Sequence, residues 1–225
     1  MKLSRLVYNA VKEAKFADDI SFTYSAFKQG NFDNTNDYVN EINNVFDPLN
    51  RVIHELSDNN KIPFKVAQIV KGDDNVIPIN GYGLAIKHIT NVFYLDSHGD
   101  YVRLNFRNIG TSRIVVIGCC PKDIYVEYVE DIKNFTREDY RYTIEQEEAN
   151  GIEHEELDVE LSDYGINETM CSYIQLYVRG YLLIDSKPEQ AMAFINEAKR
   201  QISNLEEFQT AFYQKGVKAT NKIED

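Results

Sequence analysis

The sequence predicts an α+β protein: a helical bundle built from N- and C-terminal helices, with an inserted antiparallel β lobe. Three observations carry this. Apolar residues recur at three- and four-residue steps toward both ends of the chain. From Phe64 to about Val129 the apolar period drops to two. The connections within that stretch are too short for parallel crossovers, so its strands must pair antiparallel.

The elements follow in order. Leu3, Leu6, Val7, Ala10, Val11 and Ala14 mark a first amphipathic helix. Asp18 to Asn36, rich in Asn, Asp, Ser and Gly, reads as a loop. A second helix runs from about Asp37 to Ser57, and Pro48 inside it predicts a kink or break, because proline lacks the N–H the helix needs. The strands are Lys65–Val70, Val76–Ile79, Val92–Leu95, Tyr101–Phe106, Arg113–Cys119 and Ile124–Val129. Helix returns near Ile166 with Asn167 as its cap, and carries Met170, Ile174, Tyr177, Val178 and Leu182 on one face. Ser186-Lys187-Pro188-Glu189 then has the spacing of a capping box that opens a last helix. The chain divides into N-terminal helices (1–63), β lobe (64–130), acidic loop (131–165), C-terminal helix pair (166–207) and C-terminal arm (208–225).

Charge narrows the function classes. The 225-residue chain has a formal net charge of −12. Its Lys and Arg residues are scattered, so no basic patch marks a sequence-specific nucleic-acid reader. Eight acids lie between Glu145 and Glu160 (Glu145, Glu147, Glu148, Glu153, Glu155, Glu156, Asp158, Glu160) without an intervening cation. They predict an exposed acidic face that repels DNA. The N-terminus lacks the apolar stretch of a signal peptide, and no apolar run approaches membrane-spanning length. No membrane partner is therefore expected.

Signatures of catalysis are thin. His54, His88, His98 and His154 show no zinc-binding spacing. Asp96-Ser97-His98-Gly99-Asp100 offers two carboxylates and an imidazole, but equally suits a hairpin turn. Gly81-Tyr82-Gly83 is not a phosphate-cradling loop. Cys119, Cys120 and Cys171 form no C-x-x-C pair and read as buried thiols. No catalytic residue, cofactor site or metal site is assigned, and the chain is expected not to be an enzyme.

The order of elements resembles the head–tail connector (adaptor, neck ring) proteins of tailed bacteriophages. The resemblance rests on the N-terminal helices, the strand Ile124-Tyr125-Val126-Glu127-Tyr128, the segment Leu157–Ser162 and the antiparallel helix pair. In that pair the connection Asp185-Ser186-Lys187-Pro188-Glu189 leads into a helix with the small residues Ala191, Ala193 and Ala198. It covers roughly residues 1–60 and 120–206. The richness in Asn, Ile and Tyr suggests an AT-rich genome, which suits the crAss-like podoviruses. The resemblance implies a virion protein made in the host cytoplasm, a subunit of a homo-oligomeric ring, commonly a dodecamer. Such a ring binds the portal and other neck or tail ring proteins and extends the DNA channel. Alternatives are another tail, baseplate or assembly protein, or an enzyme with a dispersed active site.

The arm beyond Glu207 holds the candidate interface Phe208, Phe212, Tyr213 and Lys215, three rings near one helical face beside a cation. The rings either finish the last helix against its own bundle or dock on a neighbouring subunit or the portal, where aromatic anchors of this kind carry a large share of binding energy. Truncation after Glu207 is expected to leave the fold intact and abolish capture by the portal in a pull-down. Capture equal to that of the full chain would remove the arm from the interface.

Overall fold

The computed structural model describes residues 1–32, 36–70, 74–109, 113–118, 121–140 and 158–207. Among them the hydrophobic periodicities resolve into six α-helices and seven β-strands, all paired antiparallel, so the protein is α+β. The chain forms two units. Met1–Asp58 and Lys133–Glu206 make a helical unit, drawn from both halves of the sequence. Asn59–Ile132, with Glu207 among the described residues, makes a β unit.

The helical unit contains α1 (Leu3–Ala14), α2 (Tyr24–Lys28), α3 (Asn36–Asn43), α4 (Phe46–Asp58), α5 (Glu168–Leu183) and α6 (Pro188–Ser203). Helix α5 packs against α1, α4 and α6, burying the apolar faces that the sequence periodicity marks. The single long helix expected over 37–57 is two helices, α3 and α4, separated at Asn44–Val45. Pro48 is the cause: its ring displaces the carbonyl four residues earlier, at Asn44, and so confines Pro48 to the first turn of a new helix.

The stretch Asp18–Asn36 is not simply a loop. It holds α2, whose Thr23 hydroxyl accepts from the Ala26 N–H as an N-cap. Its aromatic rings build a cluster: Phe22 stacks on Tyr8 at 5.4 Å and on Tyr38 at 5.6 Å, and Phe32 lies 4.8 Å from Phe22. Apolar rings, rather than helical or strand periodicity, fold this segment.

Asn167 caps α5 as expected, its Oδ1 accepting from the Met170 N–H at 2.9 Å. The capping box at Ser186 does not form. Pro188 takes the first helical position, which makes Lys187 the cap residue and leaves Ser186 one place too early. The Ser186 hydroxyl turns back to the Leu183 carbonyl instead.

The β unit is two sheets face to face. One has the order β1 (Lys65–Val70), β7 (Asp123–Glu130), β3 (Ile86–Leu95), β4 (Tyr101–Arg103). The other has the order β2 (Val76–Pro78), β6 (Arg113–Ile117), β5 (Asn105–Ile109). Ile69, Val92, Ile124 and Val126 from the first meet Ile77, Ile114 and Val116 from the second in one buried core. The strand expected at Tyr101–Phe106 is therefore divided between sheets. Leu104 is the crossing point, buried in the core with its N–H donating to the Val92 carbonyl at 2.8 Å. Strand β3 also starts earlier than expected, at Ile86, because two register shifts against β7 interrupt its alternation and hide it from a period-two reading.

Gly180 sets how closely α5 and α6 approach. A Cβ there would lie 2.7 Å from Ile195 Cγ1 and 2.9 Å from the Ala191 carbonyl oxygen. Alanine is favoured over glycine by about 1 kcal/mol in a helix interior, whereas overpacking a tight contact costs about 1–3 kcal/mol. The backbone oxygen cannot move aside as a side chain would, so the clash wins. Gly180→Ala is expected to lower stability by about 1–2 kcal/mol, measured by denaturant unfolding. An unchanged or raised midpoint would show that the helices separate without cost.

Candidate interaction surface

The candidate interface residues Phe208, Phe212, Tyr213 and Lys215 lie outside the described residues, as do Cys119, Cys120, His154 and the acids from Glu145 to Glu156. The other candidates are placed, and the structure does not bring them together. Asp96 Oδ1 accepts from the backbone N–H groups of His98 at 2.8 Å and Asp100 at 2.9 Å. Those donors hold its carboxyl below the usual carboxylate range. Gly99 has φ of 80°, so the cluster is a hairpin turn whose carboxylate serves its own backbone. Among the described residues no group of three His, Cys, Asp or Glu could hold a metal ion. His54 sits on α4 and shares a 2.7 Å hydrogen bond with Asn134 Oδ1. Cys171 is buried, and that burial pushes its thiol up to about 11, as befits a packing residue.

One acid of the stretch expected to be exposed is not. The Asp158 side chain is fully buried. Its Oδ1 accepts from the Ser4 N–H at 3.1 Å, while Oδ2 accepts from the Ser4 hydroxyl at 2.6 Å and from Lys28 Nζ at 2.9 Å. The Ser4 hydroxyl in turn lies 2.8 Å from the Tyr24 hydroxyl, over whose ring the Arg5 guanidinium sits at 4.5 Å. The cap residue of α1, Lys2, has no capping side chain. Asp158 supplies that function from 154 residues away, satisfying an orphan N–H at the positive end of the helix. A buried carboxylate is stable only with such partners. Backbone bonds flank it, from Leu3 N to Val159 O and from Leu161 N to Met1 O.

A second polar group joins α4 to α5. The Tyr177 hydroxyl donates to the Tyr181 hydroxyl at 3.3 Å, and Arg51 donates to Tyr181 at 3.2 Å. Burial pushes the Tyr177 phenol up, while the bond from Tyr177 and the Arg51 guanidinium hold the Tyr181 phenol down. Nothing local in the sequence couples Arg51 to Tyr181, because 130 residues separate them.

The outer face of the three-stranded sheet is the surface that stands out chemically. Register places Val76, Val115 and Arg107 in one row, Pro78, Arg113 and Ile109 in the next, and Ile117 beside Asn105 in a third. Directly paired residues share a face, so these eight project together away from the core. Val76, Ile109 and Ile117 are 43%, 49% and 51% exposed, well beyond ordinary strand residues over a core. Arg107 and Arg113 stand among them, and neither has an ion-pair partner among the described residues. No acid occupies any of the eight positions. Apolar area studded with arginine is the composition of protein interfaces. The signal was present in the sequence as β-branched residues on both parities of Arg113–Ile117.

No family model, curated protein or solved structure matches the chain.

Removing Asp158 tests the buried cluster. Breaking a buried pair by deleting one partner costs about 3–5 kcal/mol. Lys28 retains slight exposure and can hydrate, so Asp158→Ala is expected at the low end, about 3 kcal/mol. Chemical denaturation reads this directly. A loss under about 1 kcal/mol would place the carboxylate in water.

Proposed function

We propose that this chain is a structural virion protein, a subunit of a ring that connects the portal to the tail and extends the DNA channel of a tailed bacteriophage. The observation that carries the reading is the arginine-bearing apolar face on a β unit whose strands fall, in sequence, between the two stretches of the helical unit. Helices at both ends of the chain with strands between them is the element order on which the connector resemblance rests. Exposed Val76, Ile109 and Ile117 need a covering surface, which a neighbouring subunit in a ring supplies. The net charge of −12 supports a channel role, since bulk repulsion keeps passing DNA from adhering. Its partners on this reading are the portal, other neck or tail ring proteins and copies of itself, and it performs no catalysis.

Mixing the purified chain with portal protein tests this. Electron microscopy and mass photometry are expected to show a closed ring seated on the portal. A chain that ignores portal, with or without tail proteins present, would sink the proposal.

A further inference from the structure

We infer that copies of this chain join head to tail, the outer face of β2, β6 and β5 of one copy docking on the α5–α6 turn of the next. The inference rests on the ring reading and names the surfaces that build the ring. The sheet face offers exposed Val76, Ile109 and Ile117 with the cations Arg107 and Arg113. Such a face cannot be its own partner. A two-fold contact would set the arginines of one copy against those of the other, with no acid on the face to relieve them. A head-to-tail contact avoids this, provided that another surface is apolar and acidic.

The α5–α6 turn meets that requirement. Ile184 is 41% exposed and Met192 is 49% exposed. Asp185 and Glu189 are exposed beside them, and neither has an ion-pair partner among the described residues. Glu189 and Met192 are three apart on α6 and so share a face. Lys187 is the one cation in this turn, against two acids. The two patches thus match in kind: exposed aliphatic side chains with unpaired charges of opposite sign. Contacts of this heterologous type generate closed rings when the rotation between copies closes.

Charge exchange tests the pairing. One variant carries Arg107→Glu with Arg113→Glu, the other Asp185→Lys with Glu189→Lys. Sedimentation velocity of the wild-type chain over a concentration series is expected to show species beyond the dimer. Each variant alone is expected to associate about a hundredfold more weakly or worse. Their mixture is expected to regain the wild-type size, since every contact in an alternating assembly pairs opposite charges. Circular dichroism confirms the fold, and Arg107→Gln with Arg113→Gln provides a milder change for the same readout. Association of the glutamate variant at wild-type strength would overturn the inference, and so would a mixture no larger than its parts. A wild-type chain that stops at a closed dimer, or stays monomeric throughout, would overturn it too. Ring formation on the portal judges the ring reading separately: rings there from the glutamate variant would retain that reading and discard these surfaces.

Discussion

The helical unit is made from two stretches of chain that are covalently joined only through the β unit. Non-covalent contacts must therefore fix the position of one stretch against the other. The Asp158 carboxylate does so at the start of α1. It receives the Ser4 amide, the Ser4 hydroxyl and the Lys28 ammonium together, and it has no water to fall back on. Directional bonds in a dry setting specify one register, where apolar packing alone tolerates small slips. The bridge between Lys2 and Glu160 continues the same registration in the backbone. Once α1 is held, α5 can bury its face against α1 and α4 while Gly180 admits α6 on its other side.

The β unit solves a different problem. Its core needs one apolar face from each sheet, and Ile77, Ile114 and Val116 supply that from the smaller sheet. The opposite face of the same strands is nearly as apolar, which the core does not require. Retaining Val76, Ile109 and Ile117 in water is unfavourable to solubility, and arginines at positions 107 and 113 moderate that while leaving the face able to bind. The proposed assembly gives this surplus a use.

Much of this fold was legible from periodicity. Strand Lys65–Val70 and the helix capped by Asn167 follow directly from alternation and from cap chemistry. Legibility failed where position outranked pattern. Ser186 has the correct spacing to Glu189, yet Pro188 moves the helix start by one residue. Leu104 looks like the middle of a strand because nothing local shows that its neighbours join different sheets. After Asp18 the Asn and Gly content points to a loop, while Phe22 and Phe27, both buried, carry the stronger signal. Asp158 is hidden among acids that resemble it in sequence, and the partners that distinguish it, Ser4 and Lys28, lie 154 and 130 residues away. The sheet face was visible as excess hydrophobicity, but its two arginines could be assigned to it only with the strand register known.

The division of the helical unit has a consequence for synthesis. On the ribosome α1 emerges first, yet Asp158, its cap, follows more than 150 residues later. Translation proceeds at roughly 5–20 residues per second, so α1 waits on the order of ten seconds for its partner. The strands of the β unit are contiguous in the sequence, and the last of them ends at Glu130, before Asp158 is made. The nascent chain therefore carries a finished sandwich flanked by an amphipathic helix with its apolar stripe uncovered, the kind of intermediate that chaperones bind. Docking of α5 ends that exposure by closing a loop that the folded β unit has already shortened, so the entropy of closure is well below that of a free chain of the same length.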